Sequence, residues 1–108
     1  MGDENRLGEF EQLVLLAALR LDEKAYGIEI RRLLEDEGRR RVSRGGLYKT
    51  LERLCEKGML EWEVSESTPE RGGLPRRCFS VTAQGVLALR RSKETLTRLW
   101  RGLEPIIG

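Results

Sequence analysis

A chain of 108 residues is long enough for one domain with a modest core, and with 35% charged and 6% aromatic residues it sits at the thin end of what folds alone. No apolar run approaches bilayer length and the opening MGDENRLGEF is acidic and polar, so neither a membrane span nor a signal peptide is expected, and a cytoplasmic protein is. Histidine is absent, Cys55 and Cys78 lack metal-ligand spacing, and no phosphate-cradling glycine motif or carboxylate cluster in an apolar setting occurs, so no cofactor, metal or enzymatic chemistry is expected.

The net charge of +2 hides a split. Residues 1–38 carry five basic and ten acidic side chains, a balance of −5; residues 39–108 carry fifteen and eight, a balance of +7. One surface built for a polyanion would produce this split, and so would a set of solvated helix faces. The two cysteines read as small buried thiols, with a disulfide left arithmetically open.

Leu7 to Leu21 is predicted as a first helix. Leu7, Phe10, Val14 and Ala17 make one apolar seam and Leu13, Leu16 and Leu19 point towards another, so the helix needs two partners, one of which a second subunit could supply. After a polar turn at Asp22–Lys24, Tyr26 to Glu37 is a second helix that buries Tyr26, Ile30, Leu33 and Leu34, with Gly38 expected as a left-handed stop. The third helix runs from about Arg44 to Lys57 and ends at Gly58. Leu47, Leu51 and Leu54 share one face, Arg44, Lys49 and Arg53 lie off it, and Ser43 is the N-cap.

Gly45 and Gly46 are costly in a helix, each by about 1 kcal/mol relative to alanine. They fit either a first turn that lets something bulky reach the backbone or an irregular helix start. Leu60, Trp62 and Val64 alternate with Glu61, Glu63 and Ser65, and Phe79 and Val81 repeat the pattern from Arg76 to Val81. The pair reads as a hairpin with Trp62 in the core and a long tip carrying Arg71. Thr82 caps a last helix from Ala83 to Leu103, closed by Pro105, in which Val86, Leu89, Leu96, Trp100 and Leu103 follow three–four spacing. No core is left for this helix inside the chain, so it reads as a dimerisation arm.

The stretch RRRVSRGGLYK, Arg39 to Lys49, concentrates positive charge at a capped helix N-terminus, where free N–H groups and the helix dipole also favour an anion. The triplet Arg39-Arg40-Arg41 either touches phosphate or balances Glu35, Asp36 and Glu37. Followed by a basic hairpin, the arrangement favours the DNA backbone, with the third helix in the major groove. The expected fold class is mainly α (α+β): a winged helix-turn-helix of three helices and a two-stranded wing over residues 1–81, then a C-terminal dimerisation helix over 82–108.

The order of motifs resembles the PadR family of bacterial transcriptional regulators, specifically its short members with one C-terminal helix. The carrying residues are Tyr26-Gly27-x-x-Ile30, Val42-Ser43-x-Gly45-Gly46-Leu47-Tyr48, Leu51-x-x-Leu54-x-x-x-Gly58-x-Leu60, Gly72-Gly73-x-Pro75-Arg76-Arg77 and Val81-Thr82-x-x-Gly85. The chain departs from many relatives at Gly46 and Lys49 in the third helix and at Cys78-Phe79 in the second wing strand. The resemblance implies a homodimeric repressor in which the last helix packs on the partner's first, through Leu7, Phe10, Val14, Leu89, Leu96, Trp100 and Leu103. It also implies double-stranded DNA as partner, met by Ser43, Arg44, Gly46, Tyr48, Lys49 and Arg53 from the third helix and by Arg71, Arg76 and Arg77 from the wing. Arg44, whose fork spans both guanine acceptors, is the candidate base reader. Some relatives hold planar apolar or cationic compounds at the dimer centre, so Trp100 with Leu96 is either an effector site or an anchor of the dimer seam. The competing reading is a winged helix without DNA binding that serves as a protein-interaction module; it predicts an apolar recognition face.

Overall fold

The computed structural model describes residues 6–65 and 75–107. Its elements are α1 (Glu9–Leu21), a 3-10 turn (Asp22–Lys24), α2 (Gly27–Asp36), α3 (Arg44–Glu56), β1 (Leu60–Ser65), β2 (Arg76–Val81), α4 (Ala83–Trp100) and a short α5 (Glu104–Ile107). Helices one to three enclose a core of Val14, Leu15, Ile30, Leu47, Leu51 and Leu54, closed by Met59, Leu60 and Phe79 from the hairpin. Each leucine that α3 buries contributes about 1.5–3 kcal/mol, so that helix is held by the side opposite its charges.

The hairpin is antiparallel and in register from Leu60 opposite Val81 to Ser65 opposite Arg76. It gains a third edge that alternation did not announce. Tyr26 forms an isolated bridge with Cys78, and the Phe79 N–H donates to the Ala25 carbonyl at 2.8 Å. The wing is thereby stitched to the start of α2.

The first turn of α4 docks on the corner between α3 and β1. The Thr82 side chain caps the helix by accepting from the Gly85 N–H at 3.1 Å and donates to the Gly58 carbonyl at 2.7 Å, while Gln84 donates to the Lys57 carbonyl. Gly58, at φ +75°, supplies the left-handed turn expected of it. Beyond Ala88, no described residue of α4 or α5 is fully buried.

Several expectations need correction. Gly38 is not the left-handed stop; Arg39 takes positive φ, at 52°, and Gly38 is instead pressed against the Leu34 carbonyl, where a Cβ would stand 2.5 Å away. The last helix ends at Trp100 and not at Leu103, turns at Gly102 (φ +84°), and Pro105 sits inside α5 instead of closing a helix. α1 begins at Glu9, which leaves Leu7 ahead of it, half-buried against the core. Val14 is wholly buried within its own chain and offers nothing to a second one. Trp62 is 43% exposed. It does lie on the inward face of β1, directly opposite the buried Phe79, but an open pocket of about 260 Å³ between it and Tyr48, Leu51 and Cys55 of α3 leaves the ring partly exposed, and Val64 beyond it is exposed too.

Candidate nucleic-acid interface

Ser43 sets the geometry of the α3 start. Its Oγ accepts from the Gly46 N–H at 3.0 Å, and a Cβ on Gly46 would lie only 2.8 Å from that oxygen, so glycine there protects the cap. Gly45 is different: a Cβ would meet nothing within 4 Å. Packing inside the chain therefore gives no reason for glycine at position 45.

The turn leading into α3 is fixed by α2. Arg31 Nε donates to the Val42 carbonyl at 2.8 Å, and Glu35 accepts from the Val42 N–H at 3.3 Å. The two side chains grip both polar groups of the residue ahead of the cap. Sequence spacing signals an i, i+4 pair between them, but not the peptide that they hold. Arg40 leans on α1, at 3.1 Å from Glu9 and over the Phe10 ring. Its acidic neighbour is thus Glu9 and not Glu35, Asp36 or Glu37. The pair is well exposed on the Glu9 side and adds little stability.

Tyr48 lies one turn beyond Arg44, whose guanidinium carbon stands 5.9 Å from the ring centroid. The hydroxyl of Tyr48 reaches the start of α2. A Cβ on Gly27 would stand 2.5 Å from that oxygen, which is the physical reason glycine follows Tyr26. Ser43, Arg44, Gly46, Tyr48, Lys49 and Arg53 are all exposed. The positive face does not run the length of the helix, because Glu52 and Glu56 occupy the exposed second half and Arg53 interacts with Glu11 of α1.

Between the α3 start, the α2 start and the wing lies an open cleft of about 770 Å³ lined by Arg31, Arg44, Arg76 and Arg77, with Tyr26 and Tyr48. Among the described residues, no carboxylate lines it. Two of its arginines are stacked on aromatic rings: Arg76 at 3.6 Å from the Tyr26 centroid and Arg77 at 4.3 Å from that of Trp62. Neither stack was anticipated from sequence; the alternation of the wing strands was the available signal, since it places Arg77 on the face of Trp62 and Arg76 on the other. Arg71 lies outside the described residues.

On the wing's inner side, burial pushes the Cys55 thiol above its ordinary pKa, with Glu52 and Glu56 adding to the shift and Arg77 opposing it. A thiol in that state is a weak nucleophile. Among the described residues, both cysteines are free and no group of His, Cys, Asp or Glu could hold a metal ion. No described helix is long and apolar enough to cross a membrane.

The C-terminal arm carries the other candidate surface. Leu96 is 49% and Trp100 43% exposed, one turn apart on α4, and Leu99, Leu103, Ile106 and Ile107 are also open to solvent. Leu89 and Phe10 are half-buried against the core.

Residues 15–91 match the family model described as the transcriptional regulator PadR-like family. Among solved structures, a PadR-like transcription factor from Bacteroides fragilis is 30% identical, with a TM-score of 0.70 over 90% of this chain and 88% of that one. A PadR family transcriptional regulator from Eggerthella lenta is 28% identical, with a TM-score of 0.69 over 92% and 86%. A PadR-like regulator from Bacillus cereus shares the fold at 22% identity, with a TM-score of 0.73 over 91% and 90%. No curated protein sequence matches. These neighbours are transcriptional regulators, not enzymes, and their winged-helix fold is the one described above; the chain belongs to the PadR-like family of transcriptional regulators.

Proposed function

We propose that the protein is a homodimeric, sequence-specific DNA-binding repressor. The observation that carries this reading is the exposed, capped and basic start of α3 beside a cleft that, among the described residues, is lined by four arginines and no acid. Ser43 and Lys49 meet phosphates, Tyr48 gives a phosphate its hydroxyl, and Arg44 reads a guanine edge in the major groove. Gly45 and Gly46 allow the DNA backbone to come close. Arg53 gives long-range attraction more than contact, since it stands on the α1 side of the helix near Glu11. Arg77 leaves its stack on Trp62 to meet the duplex, and Arg71 extends the same charge.

The dimer is the second part of the proposal. α4 and α5 expose Leu96, Leu99, Trp100, Leu103, Ile106 and Ile107, and α1 exposes Leu16 and Leu19. Two surfaces of matching character on one small chain favour reciprocal packing of α4 on the partner's α1. Trp100 and Leu96 then face the dimer centre, where a planar apolar or cationic effector would stack and release the DNA. An intracellular protein follows from this role.

Fluorescence anisotropy with duplex from the region upstream of the gene, against scrambled duplex and across a salt series, tests the core of the reading. Native duplex should bind more tightly, with log affinity falling by about 0.9 per phosphate contact for each decade of salt. The Arg44→Ala/Lys49→Ala variant should flatten that slope and lose discrimination. Absence of salt-sensitive binding to either duplex would sink the DNA reading in favour of a protein-interaction module. Sedimentation at micromolar concentration should give a dimer mass for wild type and a monomer mass for Leu96→Asp.

A further inference from the structure

Arg76 is the wing residue that a charge-based reading assigns to DNA, yet its surroundings describe a different task. Its guanidinium carbon stands 3.6 Å from the Tyr26 ring centroid, and its residue is half-buried. The contact follows from strand register. Tyr26 bridges Cys78 across the outer edge of β2, so both project from the same side of the sheet, and Arg76, two residues from Cys78, meets Tyr26 diagonally. Arg77 and Phe79 project from the opposite side. Around the stack, the Phe79 N–H donates to Ala25 and the Cys78 thiol donates to the Glu23 carbonyl at 3.4 Å.

The neighbouring residue completes the joint. The Tyr48 hydroxyl of α3 packs close to Gly27, so the dipeptide Tyr26-Gly27 touches the wing with its first residue and α3 with its second. These are the two parts that must reach DNA together. Besides the buried side chains of the core and the corner where α4 meets α3 and β1, this edge ties the wing to the helical body. A stack is suited to the job, because a planar guanidinium on a ring fixes orientation, whereas a lysine ammonium at the same place supplies charge without plane.

We infer that Tyr26 and Arg76 are a positioning pair that fixes the wing against α2 and, through Gly27 and Tyr48, against α3, so that Arg76 acts on DNA binding through wing placement and not as a phosphate ligand. The part concerning DNA rests on the function proposed above; the part concerning the wing does not.

Two readouts on the full-length protein test the pair. The first is hydrogen exchange at the Phe79 amide, with the Leu54 amide as a reporter of the whole fold. Tyr26→Leu and Arg76→Lys should each speed Phe79 exchange by about five- to tenfold and leave Leu54 unchanged, and Tyr26→Phe, which keeps the ring, should behave as wild type. The second is the salt-series anisotropy. Tyr26→Leu and Arg76→Lys should lower affinity by a similar factor, the double variant should be no worse than either, and Tyr26→Phe should bind normally. Wild-type affinity in Arg76→Lys together with unchanged Phe79 exchange in Tyr26→Leu would overturn the inference and make Arg76 a simple charge. If wild type binds no DNA at all, the regulator reading fails, and the exchange arm alone decides whether the pair holds the wing.

Discussion

Lys57→Met should destabilise the protein more than Glu11→Gln, although the two changes break the same ion pair. Lys57 Nζ reaches the Glu11 carboxylate at 3.0 and 2.9 Å and also donates to the Arg6 carbonyl at 3.0 Å, which ties the C-terminal end of α3 to the start of α1. Burial is unequal: the Glu11 side chain is 8% exposed and that of Lys57 19%. Removing the lysine strands the more buried charge, with the Gly8 N–H at 2.8 Å as its remaining close donor. Removing the carboxylate charge leaves a lysine that can turn to water and keep its bond to Arg6. A hydrogen bond to a charged group is worth about 1.5–3 kcal/mol, and a stranded buried charge costs more than the bond it lost. The expected losses are therefore about 1–2 kcal/mol for Glu11→Gln and about 2–3 kcal/mol for Lys57→Met.

The effect of pH has a definite sign. Burial alone would raise the Glu11 pKa, but the Gly8 N–H, Lys57 and, at longer range, Arg53 outweigh it and hold the carboxyl below its ordinary value. With the folded value depressed, the unfolded chain binds the proton first. The stabilisation is complete above the ordinary carboxylate range near pH 4.3 and disappears as pH falls through the lower, folded value. Urea unfolding at fixed protein concentration, at pH 7 and at a series of lower pH values, measures both effects. The gap between wild type and Lys57→Met should narrow as pH falls through the depressed, folded value of Glu11. Equal losses for the two variants at pH 7, or a gap that ignores pH, would refute the argument from unequal burial.

Three glycines give further tests. Gly45→Ala should raise stability by about 0.5–1 kcal/mol, because a Cβ there meets open space and alanine favours the helix, yet weaken DNA binding if the duplex approaches this backbone; urea unfolding and anisotropy on the same variant separate the two effects, and unchanged affinity would end the close-approach explanation. Gly27→Ala should push Tyr48 off its seat, costing about 1–3 kcal/mol in unfolding experiments and lowering DNA affinity, and Gly27→Ala/Tyr48→Ala, which removes the ring that the added Cβ meets, should show no further loss from the methyl beyond that of Tyr48→Ala alone. Gly85→Ala drives a Cβ into the Met59 carbonyl and close to Val81, where backbone cannot yield cheaply, so thermal unfolding should show a loss of about 3 kcal/mol or more, with the α4 start released from the α3–β1 corner.

Local chemistry made much of this molecule legible in its sequence. The leucine period of α3, the caps at Ser43 and Thr82, the left-handed Gly58 and the two alternating strands are each set by a few neighbouring residues, and each stands where the pattern put it. The errors fall where a distant surface decides. Alternation assigned Trp62 to the inward face correctly, but whether that face closes on α3 or leaves a pocket depends on the whole fold. Val14 lay on a seam that α1 could offer to a partner, and the chain's own helices took it. The three–four pattern of α4 did not show its end at Trp100, because the chain turns at Gly102 while Leu103 keeps the spacing going. The candidate site was legible as charge, not as geometry. Arginines at 44, 76 and 77 look alike in sequence, and only the fold distinguishes one near Tyr48 from two stacked on Tyr26 and Trp62.

The distribution of charge along α3 also constrains how the proposed complex is built. Lys49 and Arg53 share the exposed side of the helix with Glu52 and Glu56, and the two acids dominate its last turns. A helix laid lengthwise in the major groove would bring those carboxylates towards phosphates, at a cost of like-charge repulsion in a poorly screened cleft. Insertion by the N-terminal end avoids this: it presents the Ser43 cap, the open backbone at Gly45 and the positive end of the dipole, and keeps Glu52 and Glu56 out of the groove. That orientation would also leave the arginine-lined cleft, which adjoins the α3 start, on the DNA side. The wing would then reach DNA only if its angle to α3 were held, which is the task proposed above for Tyr26 and Arg76. In a dimer, the separation of the two α3 helices would follow from how α4 crosses the partner's α1, far from any residue that touches a base. Changes on the exposed face of α4 should accordingly alter the preferred spacing of half-sites, while changes at Arg44 alter which bases those half-sites contain.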